Sequence, residues 1–124
     1  MQSLEHKRAK FAYDKINSIK SNYKEYRSCI MNLGTLILNN GLLATLAFYN
    51  TKENHHKEVI NWIKEELKNE NLLENQKYDD NNEFIKCISG LDTETYILYT
   101  TVILSLSNWL KRFADSILKE KEKE

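Results

Sequence analysis

Residues 33–52, LGTLILNNGLLATLAFYNTK, set the tightest limit on what this chain can fold into. Two apolar runs abut at Asn39-Asn40-Gly41, and no charge occurs before Lys52. Asn and Gly tolerate positive φ at a helix C-terminus, so Asn40-Gly41 reads as the end of one buried helix. The second run, from Leu42 to Phe48, starts without room for a loop, and a second buried helix is expected there. A tight corner buried on both arms is the expected centre of the core.

The rest of the chain also reads as helical. It has no proline and three glycines in 124 residues, whereas a β-rich domain of this size would need many turns. Ala9, Ala12, Ile16, Ile19, Tyr23, Tyr26 and Ile30 step by threes and fours, marking a helical face, with a break into a second helix placed at Ser21-Asn22. A third helix covers 41–50. Val59, Trp62, Ile63 and Leu67 give a fourth helix its inner face, with Asn54 as its N-cap. Residues 69–82 read as a mobile acidic, Asn-rich loop. Asp80 and Glu83 form a capping box before a short helix over 84–88, which Ser89-Gly90 ends. The longest helix, about 93–121, carries Tyr96, Tyr99, Ile103, Leu106, Leu110, Phe113 and Ile117 in the same rhythm. Its first half is apolar nearly all round, so it should be central. The charged tail, about 119–124, should fray. The expected architecture is all-α: one domain over 1–124, a bundle of about six helices with a long C-terminal helix.

Charge constrains function differently. Eighteen basic and eighteen acidic residues leave the chain neutral, which excludes a strongly basic footprint over the whole molecule. The distribution is uneven. Residues 1–27 hold seven cations against three acids, residues 28–51 hold no charge, and residues 52–83 hold five lysines against nine acids. A basic end and an acidic end would suit head-to-tail contact or an anionic partner, and an ordinary solvated surface would look the same.

Catalytic constellations are lacking. His55-His56 is the only histidine pair, adjacent residues on a helix face different ways, and no ligand stands at metal spacing, so a surface pair is expected. Asp79-Asp80 and Glu65-Glu66 lie in or beside solvated segments, unlike the desolvated carboxyls of general acid–base catalysis. No Gly-rich phosphate loop and no nucleophile motif is present. Cys29 and Cys87 have no motif spacing and read as buried free thiols. No enzyme activity, cofactor or metal is expected. The N-terminus lacks a secretion signal's apolar core, and Asn32, Asn39, Asn40 and two glycines interrupt the charge-free window, so a cytoplasmic protein is expected. Tyr13, Tyr23 and Tyr26 beside Lys20, Lys24 and Arg27 could pair stacking surfaces with phosphate contacts, or Tyr23 and Tyr26 could face the core while the lysines solvate the outside.

Two blocks of residues go further. Leu36-Ile37-Leu38-Asn39-Asn40-Gly41-Leu42 with Leu46-Ala47-Phe48 and Lys52 forms one. Thr100 followed by Trp109-Leu110-Lys111-Arg112-Phe113-Ala114 forms the other. Together with Tyr26 and Trp62, they resemble the small helical subunit of the type III-B CRISPR effector, the Cmr RNA-silencing complex. The resemblance spans nearly the whole chain. It departs at Gly34, where a proline is common in the pattern, and at Ala44, where a polar residue is common.

The resemblance implies a non-catalytic antiviral-defence subunit. Several copies would stack beside the backbone subunits that hold the guide RNA and against the large polymerase-like subunit, helping to form the target-RNA channel. Base pairing reads sequence in such a machine, so the protein needs only backbone contacts and shape. The residues expected to face RNA or neighbouring subunits are Arg8, Lys20, Lys24, Arg27, Lys52, Lys111 and Arg112. Lys52 and Arg112 lead because they stand inside the two blocks. Gly41, Trp62 and Trp109 are expected to be structural. The related type III-A small subunit, or an unrelated helical scaffold that binds no RNA, would share many of these features.

Overall fold

The computed structural model of the chain describes residues 2–73 and 78–123. They form six α-helices, α1 (Leu4–Asn17), α2 (Tyr23–Asn40), α3 (Leu42–Tyr49), α4 (Asn54–Asn69), α5 (Asn81–Ser89) and α6 (Thr93–Phe113). The last helix continues through a π-helical turn, Ala114–Leu118, and a final α turn, Lys119–Glu122. No strand occurs among the described residues. The all-α architecture with a long C-terminal helix is as the sequence suggests.

The first helical stripe is shared by two helices. Ala12 and Ile16 are buried from α1, Ile30 from α2, and Ile19 from the connection between them. Asn22 takes φ +56, a left-handed conformation that Asn accepts more readily than most residues, and so turns the chain into α2. Ser3 caps α1 by accepting the His6 N–H at 3.2 Å.

The α2–α3 corner turns on Gly41 alone, with φ 91 and ψ 160. This extended region at positive φ is open essentially only to glycine. The Gly41 N–H still closes α2 on Ile37 O at 2.8 Å, and its carbonyl accepts from Thr45 Oγ1 at 2.8 Å in α3. The Tyr96 hydroxyl of α6 accepts the otherwise orphaned Leu43 N–H at 3.0 Å. The corner is not buried on both arms. Leu42 and Leu46 are sealed, but Leu38 is 72% exposed and Phe48 47%. An apolar run reveals the helix and not which of its faces finds a partner.

Helix α6 runs through the middle of the bundle against α1, α2 and α4. Tyr99, Val102, Ile103, Leu106 and Leu110 are buried along it. Its first half is not enclosed all round, because Ile97 (58% exposed) and Leu98 (46%) face outwards. Beyond Leu110 the buried positions are Ala114 and Leu118, while Phe113 and Ile117 are only half-buried. The π turn explains the changed phase. Its i→i+5 bonding underwinds the helix, so positions four apart stay on one side. The turn at Lys119–Glu122 is helical, and Arg27 Nη1 approaches Glu122 at 3.8 Å.

Glu53, not Asn54, stands at the N-cap of α4, and its side chain makes no capping bond. Asp80 caps α5 through the Asn82 N–H at 2.8 Å, and Asp92 caps α6 through the Thr95 N–H at 2.8 Å. The centre of the expected mobile loop, residues 74–77, lies outside the described residues. On its near side Leu73 is buried, and the Tyr99 hydroxyl donates to Leu72 O. On its far side the buried Lys64 ammonium donates to Tyr78 O at 2.8 Å, Asp79 O at 3.3 Å and Asn81 Oδ1 at 2.7 Å.

Candidate functional site

The seven cations expected to form a contact surface do not share one fate. Arg8 corrects the expectation most plainly, since it is 8% exposed and lies beneath the surface. Its Nε and Nη2 grip the two Glu70 oxygens at 2.8 Å each, and Nη1 reaches Glu5 at 3.3 Å. This bidentate fork ties α1 to the end of α4. Arg27 is half-buried, donates to Asp115 at 3.0 Å and so fixes the π turn against α2. Lys20, Lys24, Lys52, Lys111 and Arg112 are exposed and have no carboxylate partner among the described residues. Lys52 lies over the Phe48 ring at 4.6 Å, and Arg112 over the Trp109 indole at 5.4 Å. Both cations are thereby held in orientation while remaining wet.

Three of the five free cations gather at one end of the bundle. The Tyr49 hydroxyl donates to Cys29 O at 2.6 Å, so the end of α3 lies beside the first turns of α2. Tyr26 of α2 sits 5.7 Å from His55 and 6.1 Å from Trp62, both in α4. Lys121 lies over Tyr23 at 5.4 Å. The start of α2, the end of α3, the start of α4 and the tail of α6 therefore converge, carrying Lys20, Lys24 and Lys52. Lys111 and Arg112 stand further along α6.

The basic and acidic stretches of the sequence do not form opposite poles. Arg8 meets Glu70, and Lys15 Nζ meets Glu65 at 2.8 Å, across the α1–α4 contact. Lys10 pairs with Asp14 at 3.2 Å within α1. The expectation of a basic end facing an acidic end is replaced by pairing within the chain.

Beside the Arg8–Glu70 fork lies a carboxyl that its sequence context places in solvent. Glu66 is in fact 3% exposed, one helical turn before Glu70. Burial, followed by the hydrogen bond with Glu70 and its negative charge, pushes the Glu66 carboxyl up to about 8. Burial works against the Glu70 charge too, but hydrogen bonds from Arg8 and Glu66 hold Glu70 below the usual carboxylate range. The guanidinium is bonded to Glu70 and Glu5 and not to Glu66, so the buried Glu66 beside the charged Glu70 keeps its proton at neutral pH. The separation of 62 residues between Arg8 and Glu70 hid this cluster from the sequence. The signal available was Glu66 itself, in helical phase with buried Ile63 and Leu67.

Trp109 is half-buried, and its indole N–H donates to Glu5 at 2.6 Å. Ser105 Oγ donates to the same carboxylate at 3.0 Å, and these two bonds, before the Arg8 charge, hold Glu5 below its ordinary range. The groove around them, about 410 Å³, is lined by Glu5, Thr101, Leu104, Ser105, Asn108, Trp109 and Arg112. A second cavity of about 250 Å³ adjoins it, sharing Leu104 and Asn108 and bordered by Leu38 and Lys111. The indole is also contacted by Arg112, 5.4 Å from the ring centroid, and by Phe113, which stacks at 5.9 Å. The histidines are not a plain surface pair. His56 is half-buried at 4.7 Å from Tyr49, and burial, then the His55 and Lys52 charges, lowers its basicity. Trp62 is buried. Cys29 is a buried free thiol pushed up to about 12 by burial, and Cys87 is free and half-buried. No cluster of three potential metal ligands, and no helix long and apolar enough to cross a membrane, occurs among the described residues.

Comparison with known proteins gives two findings. Residues 4–117 match the family model described as CRISPR-associated protein (Cas_Cmr5). The fold is similar to the crystal structure of a CRISPR-associated Cmr5 family protein from Thermus thermophilus, with a TM-score of 0.78. The two chains are 24% identical, and the match covers 94% of this chain and 98% of that one. At that identity the structural likeness speaks for the fold.

Proposed function

Because the chain belongs to the Cmr5 family of CRISPR-associated proteins, we propose that it is the non-catalytic small subunit of a type III-B RNA-guided, RNA-targeting effector. Several copies stand beside the guide-RNA backbone subunits and against the large polymerase-like subunit, and help to line the target-RNA channel in the cytoplasm. The family match over nearly the whole chain carries this reading. The surface supports it: Lys20, Lys24, Lys52, Lys111 and Arg112 are exposed cations, without a carboxylate partner among the described residues, suited to phosphates or to a neighbour's acids. We propose the whole chain as one domain. Arg8 and Arg27 act within it by positioning α1 and the π turn.

The test is a tagged pull-down from the native cell, with co-purifying RNA sequenced and proteins identified. Short RNAs sharing one constant 5′ tag, with a backbone subunit and a large polymerase-like subunit, are expected. Backbone subunits of the type III-A complex would reassign the effector, and a clean protein without RNA would leave a helical scaffold. In the assembled complex, Lys52→Ala with Arg112→Ala should weaken RNA retention. Its log–log salt dependence should fall by about 0.7 per lost phosphate contact. An unchanged slope would remove these two residues from the RNA contact.

A further inference from the structure

One face of α6 is left uncovered by the described residues. Glu94, Ile97, Thr101, Leu104, Asn108 and Arg112 follow one another at helical spacing, opposite buried Tyr99, Val102, Ile103, Leu106 and Leu110. The stripe is ordered along its length. An acid stands at its N-terminal end, Ile97 (58% exposed) and half-buried Leu104 occupy its middle, and Arg112 ends it beside Lys111. Leu38 of α2, 72% exposed, borders the same cavity as Leu104 and widens the apolar centre. Thr101, small and exposed, would let another helix approach closely.

This arrangement is complementary to itself in reverse. Residue 103 is the midpoint between Glu94 and Arg112, which lie nine residues, or about 13 Å of helix, to either side. We propose that a second copy of this chain docks on this face, its α6 antiparallel to the first about a two-fold axis level with residue 103. Glu94 of each copy then meets Arg112 of the other. Leu38 and Leu104 of both copies form the apolar centre, with the ion pairs at the rim. The antiparallel helix dipoles add to the match. A nucleic-acid strand fits the centre of the face less well, because Glu5 places a carboxylate in the groove there. The proposal does not depend on the effector reading, since it concerns the purified subunit alone.

Sedimentation equilibrium on the purified full chain, from micromolar to millimolar concentration, tests it. A dimer that grows with concentration and goes no further is expected, weakening as salt rises. E94R and R112E should each raise its dissociation constant about tenfold or more, because each sets like charges opposite one another at both ends. Mixing the two variants should restore a heterodimer, and so should E94R/R112E in one chain. All substituted side chains are exposed, and far-UV circular dichroism verifies folding. A monomer throughout, an open-ended series of oligomers, or a dimer indifferent to both reversals would each overturn the proposal. E94R also separates it from RNA retention, because Glu94 is not among the proposed RNA contacts.

Discussion

Gly34 on α2 meets Ser107 on α6 so closely that a Cβ at position 34 would lie 3.1 Å from the Ser107 hydroxyl oxygen. That hydroxyl is held where it is by donating to Leu104 O at 2.8 Å. The crossing of the two longest helices therefore depends on an absent methyl group. Gly34→Ala improves helix propensity by about 1 kcal/mol but crowds a packed contact, which costs about 1–3 kcal/mol. A net loss of thermal stability is expected. Ser107→Ala leaves only a Cβ at 3.9 Å, so the double variant should recover or exceed the parent. A Gly34→Ala protein melting at or above the parent temperature would refute the packing argument.

Gly41 poses a different demand. With φ 91 and ψ 160 it lies outside the left-handed helical region that Asn also visits. Gly41→Ala and Gly41→Asn should therefore both destabilise the chain by about 1–3 kcal/mol in denaturant titrations. An Asn variant as stable as the parent would mean that the corner can relax into an ordinary left-handed cap.

Removing Arg8 leaves Glu70 buried beside Glu66 without its cation. Arg8→Met should cost about 3 kcal/mol or more at pH 8. The loss should be smaller at pH 5, where the carboxyls of the variant can take up protons. An equal loss at both pH values would show that the guanidinium acts by packing alone.

Glu66 gives the parent protein its own pH dependence. Its folded carboxyl titrates at about 8 against an ordinary value of 4.5, so the stability tied to its proton is complete below about 4.5. That stability is lost progressively as the pH rises through about 8. Glu66→Gln keeps the shape without the ionisation. Relative to that variant, the parent should weaken steadily between these limits in melts followed at several pH values. Parallel curves would mean that Glu66 ionises without penalty.

The helices were legible because apolar spacing and caps are local. Asp80 caps the short helix that its position suggests, and the corner at Gly41 falls where the two apolar runs meet. Burial was less legible, because it depends on neighbours distant in sequence. Ile97 and Leu98 look like core in an apolar helix, yet Thr101 and Asn108 share the outward face with Ile97 and mark it as exposed. Arg8 and Glu66 look like surface in charged segments, yet each is enclosed because α1 and α4 meet there. The π turn left no local signature, and only the shift from Phe113 and Ile117 to Ala114 and Leu118 as the buried positions reveals it.

The pairing of α1 with α4 also governs how the molecule looks from a distance. Of the seven cations in residues 1–27, Arg8, Lys10, Lys15 and Arg27 each stand against a carboxylate of the same chain. Opposite charges about 3 Å apart cancel over a screening length of about 8 Å. An approaching partner therefore feels much less torque than the linear order of charges implies. Orientation must be chosen at contact, by shape and by the cations that have no carboxylate partner among the described residues, after the surfaces have already met.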